Sequence, residues 1–376
     1  MRKAAFIYSQ ELEKYHYPPE HPFNTVRGQR THETVRSMGL LTGPGRSEVA
    51  PVPAERVVLK KLHTGRYLHA LKKAAEGKWD AQALSMGIGT EDCPIFEGLY
   101  DYAVLATGGT LTGGHMLLSG DADIAFNPSG GYHHAGPEHA AGFCYINDVA
   151  LACMVLAEHG KRVLYLDVDV HHGDGVANAF YDRSDVLTLS LHQNPKTLFP
   201  GTGFEHEMGQ GDGKGYCVNV PLPVGTYDEA YMKAFNSIAP PLIGAYDPDV
   251  IIFELGADAL AGDPLGHLCL TNNTYVLIID YLMSLDIPIL ATGGGGYNVD
   301  NTVRAWALAW SVFCDAESSD DISHAIGGVL LETTEWLGGL RDRELAVSDA
   351  QRETVIPAID STIKRIKKNI FPIHGI

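Results

Sequence analysis

The sequence predicts an α/β protein of the three-layer kind, a mostly parallel central sheet flanked by helices. Short β-branched apolar runs alternate with helical stretches along most of the 376 residues, the order expected of parallel strand, crossover helix, strand units. Several of these runs lack the polar alternation of a one-faced strand, so they read as strands buried on both sides. At their carboxyl ends they break into acids, histidines or glycines, where open α/β sheets place their sites.

Residues 4–8 read as the first strand, followed by a loop over 15–23 that its prolines make stiff. A basic amphipathic helix is predicted over 27–41, and another over 66–76 with Ala and Lys on separate faces. Residues 86–96 form a loop punctuated by Gly and Pro that carries the acidic pair Glu91-Asp92. The stretch 99–118 reads as a helix despite its glycines, which predicts close packing on a neighbour. A short strand over 123–126 runs into Gly130-Gly-Tyr-His-His-Ala135. Asn147 is the expected N-cap of an apolar helix over 148–158 that stops at His159-Gly160.

The organising strand covers 162–170. Its pleat is expected to point Asp167, Asp169 and His171 one way and to send Val168 and Val170 into packing. Beyond it the sequence predicts a helix over 176–181, a strand over 186–191, a rigid turn over 199–203 and a strand over 216–220. A helix over 227–243 precedes a strand over 249–255, which ends in Gly256-Ala-Asp258. A strand over 287–291 ends in Gly293-Gly-Gly-Gly-Tyr297, and a Trp-rich helix follows over 301–313. The last sixty residues are helical in pattern, and the basic run 364–368 reads as a solvated helix face. No linker or internal repeat interrupts the chain, so 1–376 is expected to form one domain, with its motifs within 8–310 and a helical region over 315–376.

Composition narrows the function. Apolar residues make up 45% and charged residues 20% of the chain, which is ordinary for a globular protein. A net charge of −18 argues against nucleic acid as a partner and favours basic, lysine-bearing segments. Six cysteines without C-x-x-C spacing read as free thiols of a reducing compartment. The N-terminus has too short an apolar run for a signal peptide, and no stretch has membrane-spanning length, so a cytoplasmic location without a membrane partner is expected. Composition does not set the oligomeric state.

In a parallel sheet all carboxyl ends open on one edge, so His133-His134, Asp169 with His171, Asp258 and Tyr297 are expected to converge. Asp169, His171 and Asp258 would give one nitrogen and two oxygens to a metal. Three protein ligands with open positions is the arrangement of catalytic Zn2+, and Fe2+ suits the same donors. Such a cation activates water and polarises a carbonyl. His133 and His134 suit proton transfer if carboxylates fix their tautomers, and Asp167 and Asp174 are the available orienters. Tyr297 would place a phenol on a developing oxyanion, with the four glycines giving it room to swing. A phosphate-cradling turn is the other reading of those glycines, opposed by the acidic surroundings.

Six motifs together resemble the histone deacetylase family. They are Gly131-Tyr-His-His134, Ala141-Gly-Phe-Cys-Tyr145, Asp167-Val-Asp-Val-His-His-Gly-Asp-Gly175, Phe199-Pro-Gly-Thr-Gly203, Gly256-Ala-Asp258 and Gly293-Gly-Gly-Gly-Tyr297. Within the family the chain looks like the bacterial branch that includes acetoin utilization proteins. The resemblance implies an arginase/deacetylase fold and zinc-dependent hydrolysis of acyl-lysine amides in proteins or peptides. It makes Asp169, His171 and Asp258 the zinc ligands, His133 and His134 the acid/base pair backed by Asp167 and Asp174, and Tyr297 the carbonyl-polarising phenol. It further implies a narrow tunnel walled by Phe143 and Phe199 with Gly142 as its floor, and Asp92 as a rim group gripping substrate amides. A structural potassium would sit among Asp167, Asp169, His171, Ser190 and Leu191. Arg183 departs from the pattern where a second potassium would bind. Leu265 stands where polyamine-selective members carry an acidic gatekeeper, which tilts against acetylpolyamines. The alternatives are a deacetylase of such small amines, or a non-catalytic acyl-lysine binding module; against the latter, every expected reactive group is present.

Overall fold

The computed structural model describes residues 2–315 and 339–376. Eight strands, β1 (Ala4–Ile7), β2 (Arg46–Val49), β3 (Ile124–Asn127), β4 (Val163–Asp167), β5 (Val186–Gln193), β6 (Cys217–Leu222), β7 (Val250–Glu254) and β8 (Ile289–Thr292), form one sheet. Its order is β2-β1-β3-β8-β7-β4-β5-β6, and every pairing is parallel.

The apolar runs are explained by burial on both faces. Leu164 and Leu166 of β4 join one core while Val163 and Tyr165 join the other, as strand pleating requires. The helices are α1 (Val26–Ser37), α2 (Arg56–Leu59), α3 (Gly65–Ala75), α4 (Ala81–Ser85), α5 (Leu99–Ser119), α6 (Asp148–Glu158), α7 (Asp174–Ala179), α8 (Asp228–Tyr246), α9 (Asn272–Ser284), α10 (Val299–Phe313) and α11 (Asp349–Asn369). Side chains of α1, α8, α9, α10 and α11 fill the first core, and those of α3, α5 and α6 fill the second. The expected three-layer architecture is therefore present. Among the described residues, no helix is long and apolar enough to cross a membrane.

The glycines of α5 do mark close packing. A Cβ at Gly108 would lie 2.0 Å from the Val52 carbonyl oxygen, and one at Gly113 would lie 2.6 Å from Leu290 Cδ1. The Asn147 side chain accepts from the Ala150 N–H as the expected N-cap of α6. Lys364, Arg365, Lys367 and Lys368 are exposed on α11.

Three expectations need correction. Strand β4 ends at Asp167, three residues before the predicted end, for a reason that belongs to the site. The edge strand β2 and helix α9 were not expected; β2 is four residues of Arg-Ser-Glu-Val, none of them buried and without apolar alternation. The helical expectation for the last sixty residues holds over α11, whereas 339–348 is irregular until the helix begins, and 316–338 lies outside the described residues.

One buried histidine ties the second core to pH. His63 Nε2 accepts from the backbone N–H of Asn147 at 3.0 Å, so that nitrogen must be unprotonated, and burial pushes its pKa down to about 4. The unfolded chain therefore binds a proton that the folded chain refuses. Stability is complete above pH 6.5, falls as pH drops from there to about 4, and loses up to about 3 kcal/mol through this group. Urea unfolding of His63→Gln between pH 7 and pH 4 is expected to show a shallower acid loss than the unchanged protein; parallel losses would exclude His63 as the source.

Candidate active site

The loops leaving β3, β8, β7, β4 and β5 open side by side, because these strands are consecutive in the sheet. At the end of β4 the carboxylates capture the backbone. Asp167 Oδ1 accepts from the Asp169 N–H and Asp169 Oδ1 from the His171 N–H, both at 2.9 Å. Such side-chain acceptors two residues upstream replace ladder carbonyls and turn the chain out of the sheet. The two-residue relation among Asp167, Asp169 and His171 thus survives as successive turns in place of the expected strand pleat. Val168 and Val170 are fully buried in the first core, as expected.

Asp169, His171 and Asp258 come together. His171 Nδ1 lies 3.1 Å from Asp169 Oδ1 and 3.1 Å from Asp258 Oδ2, and the three donor atoms lie within 4.8 Å of one another. The remaining oxygens are anchored: Asp258 Oδ1 accepts from the Val170 N–H at 2.9 Å and Asp169 Oδ2 from the Gly295 N–H at 2.6 Å. Burial and the charge of Asp169 push the Asp258 carboxyl up to about 7. Burial opposes a charged His171, yet the two carboxylates raise it to about 10. Two carboxylates and an imidazole in a dry site compete for positive charge, and donors about 3 Å apart suit metal bonds of about 2 Å. The donor set therefore fits a divalent cation of mixed nitrogen and oxygen preference.

The tandem histidines each have a carboxylate behind them. His133 Nδ1 lies 3.0 Å from Asp167 Oδ2, and His134 Nδ1 lies 2.7 Å from Asp174 Oδ1. Their Nε2 atoms are 2.9 Å apart. Each carboxylate contact needs an Nδ1–H, and the Nε2 contact needs one more proton, so the pair shares three protons and one positive charge. That charge belongs on His133. Burial disfavours it, but Glu254 and Asp167 raise its pKa well above the ordinary value, whereas burial and the His133 charge lower His134 to about 4 despite Asp174.

Tyr297 stands edge-on to His171 and Phe143. Its ring centroid lies 6.3 Å from that of His171 and 5.6 Å from that of Phe143. Burial, then Asp258 and Asp169, keep its phenol well above its ordinary pKa, so it is a donor. Phe199 stands against His134 at 5.0 Å between ring centroids and is 46% exposed. Gly142, at φ 54°, comes so near that a Cβ there would lie 2.2 Å from His134 Cδ2 and 3.0 Å from Phe199 Cε1. Asp92 Oδ2 accepts from the Gly142 N–H at 2.7 Å. The Leu265 N–H donates to Asp263 Oδ1 at 2.9 Å. Ser190 stands opposite Asp167 in the β4–β5 register with its hydroxyl 2.7 Å from His192 Nδ1, and Tyr231 donates to the Leu191 carbonyl at 3.5 Å.

The glycine run has a reason beside the expected backbone freedom, which Gly294 and Gly296 use at φ 134° and 130°. A Cβ at Gly295 would lie 1.9 Å from Asp258 Oδ2, so only glycine lets this backbone meet the carboxylates. The run is also clamped: Arg27 donates to the Gly294 and Gly296 carbonyls at 2.9 and 2.8 Å. Asp263 Oδ2 accepts from the Tyr297 N–H at 2.7 Å. Arg27, Asp263 and Glu254 escaped the sequence reading. Arg27 read as part of a basic amphipathic helix, and nothing local marked Asp263. Glu254 did leave a signal, an acid ending an otherwise apolar strand.

A wholly parallel α/β sheet with an Asp/His/Asp set and two His-Asp pairs on its carboxyl edge defines an arginase/deacetylase-like protein. Residues 21–313 match the family model described as the histone deacetylase domain. The chain is 41% identical over 318 residues to the acetoin utilization protein AcuC of Bacillus subtilis, covering 82% of each. It is 36% identical to the histone deacetylase clr6 of Schizosaccharomyces pombe, covering 86% of this chain and 80% of that one. The crystal structure of an HDAC homolog from Aquifex aeolicus superimposes with a TM-score of 0.85 at 30% identity, covering 97% of this chain and all of that one. The chain belongs to the histone deacetylase family.

Proposed function

We propose that this protein is a metal-dependent deacylase of acyl-lysine side chains in proteins or peptides, with zinc as the metal. The observation that carries the reading is the pairing of two His-carboxylate dyads with the Asp169, His171 and Asp258 donors, with Tyr297 beside His171. A divalent metal held by those three residues would supply Lewis acidity to the amide carbonyl and acidify water. The side chains do the rest. His134 keeps its proton on Nδ1 against Asp174, so its Nε2, turned from the His133 Nε2–H to the attacking water, would accept the proton of that water. His133 holds a positive charge at the reacting centre, and Tyr297 donates its phenolic hydrogen to the developing oxyanion. Protonation of the departing lysine amine falls to the same histidine pair.

The slot also matches its substrate. Phe143 and Phe199 would offer apolar rings to a four-methylene stem, and Gly142 packs so closely on His134 and Phe199 that only a residue without a side chain fits there. In the same structural class, an HDAC homolog with a TM-score of 0.85 to this chain has been solved with SAHA bound. Potassium would be held among Asp167, Asp169, His171, Ser190 and Leu191, the residues that the family resemblance implies.

Turnover of a fluorogenic acetyl-lysine peptide by zinc-loaded protein tests the reading, with acetylpolyamines run in parallel. Faster turnover of the polyamine would move the assignment to small amines, and tight peptide binding without turnover would make the protein a binding module. Asp92 Oδ2 positions Gly142, and its second oxygen is proposed to hold substrate backbone amides. Asp92→Ala is therefore expected to raise KM for the peptide by about tenfold, the size of one charge-assisted hydrogen bond. An unchanged KM would remove Asp92 from the rim.

A further inference from the structure

The stiff loop over 15–23 supplies no reactive group, yet it is fastened to Phe143, the residue proposed as one wall of the acyl-lysine site. Residues 141–144 form a two-residue hairpin turn. Ala141 and Cys144 exchange backbone hydrogen bonds at 3.2 and 2.9 Å, and the two residues between them, Gly142 and Phe143, lie at φ 54° and 67°. Positive φ at both central positions makes this a type I′ turn, which suits glycine or asparagine and opposes a bulky side chain. The other non-glycine residues with positive φ among the described residues are Asp247, Asp286 and Asp315, whose short polar side chains tolerate that region. Phe143 is thus kept in a backbone conformation that its own side chain disfavours, and its surroundings must hold it there.

Two side chains grip the turn. Asp92 Oδ2 accepts from the Gly142 N–H at 2.7 Å, and the Tyr17 hydroxyl donates to the Phe143 carbonyl at 2.8 Å. The Tyr17 ring is buried and packs on Phe96 and Phe23 at 4.7 and 4.8 Å between centroids, so its hydroxyl has a fixed aim. His21 joins the two grips. Its Nδ1 accepts from the Phe23 N–H at 3.1 Å, which leaves the ring hydrogen on Nε2, 3.3 Å from the Asp92 carbonyl oxygen. The His21 ring also stands edge-on to Phe143 at 4.5 Å.

We propose that Tyr17 is a positioning residue of the substrate site: by bonding the Phe143 carbonyl it holds the left-handed turn, and so keeps the Phe143 ring in the wall beside the four-methylene stem. This inference rests on the wall role proposed for Phe143.

Tyr17→Phe removes the donor and keeps the ring. In zinc-loaded protein of equal metal content it is expected to raise KM for the acetyl-lysine peptide by about tenfold and to keep kcat within about threefold. Phe143→Gly removes both the wall and the strain, so adding Tyr17→Phe to that background is expected to change KM by less than about twofold. An unchanged KM in the single variant, or the same KM penalty in both backgrounds, would overturn the positioning role. Crystal structures of the unchanged protein and Tyr17→Phe read the turn without turnover. Phe143 is expected to leave its positive φ or its ring position in the variant, and an unmoved Phe143 would overturn the inference. Should the unchanged protein hydrolyse no acyl-lysine, the proposed function fails, and the crystal comparison alone decides whether Tyr17 holds Phe143.

Discussion

Tyr297→Phe is expected to lower kcat on an acetyl-lysine peptide by about 10²- to 10³-fold with little change in KM, the loss typical of one oxyanion donor. The Tyr297 ring stands edge-on to His171, and burial with the charges of Asp258 and Asp169 keeps the phenol protonated. Its hydrogen bond strengthens only as the carbonyl oxygen gains charge, so the loss belongs to kcat. Phenylalanine preserves the edge contact with Phe143, and folding and metal content should be unchanged. Near-normal turnover in metal-loaded Tyr297→Phe would show that another group stabilises the oxyanion.

Asp258→Asn is expected to abolish activity and to weaken divalent metal binding by at least about 100-fold, above the effect usual for groups one shell further out. The amide still accepts from the Val170 N–H through its oxygen, so the loop from β4 keeps its shape. It gives up the negative charge that, with Asp169, surrounds His171 Nδ1. Metal analysis after dialysis at limiting zinc, run beside the unchanged protein, reads this directly. A variant that holds one zinc per chain as tightly as before would exclude Asp258 as a ligand.

Much of the fold was legible because buried parallel strands advertise themselves. The runs ending at Asp167, Glu254 and Thr292 are apolar on both faces, and Asn147 capped α6 where an N-cap residue was expected. The strand β2 was illegible because an exposed edge strand needs no apolar pattern, and its membership rests on backbone bonding to β1. Helix α9 is apolar on more than one side, being packed between its neighbours and the sheet, and gave the eye no boundary. The chemical groups were legible for a different reason: polar side chains at the tips of apolar strands have few purposes other than a site. Their second function was not. The glycines before Tyr297 looked like freedom and also provide clearance for carboxylates, a distance between segments remote in sequence.

By itself the sequence determined the parallel α/β class, the strand tips that bear the reactive groups and the identity of the His, Asp and Tyr side chains, because periodicity and side-chain chemistry are local properties. Only the tertiary structure decided that Glu254 stands opposite Asp167, that Arg27 and Asp263 clamp the segment before Tyr297, and which histidine carries the charge. Those depend on strand register and on which charges share a dry space, and both are set by contacts between residues far apart in the chain.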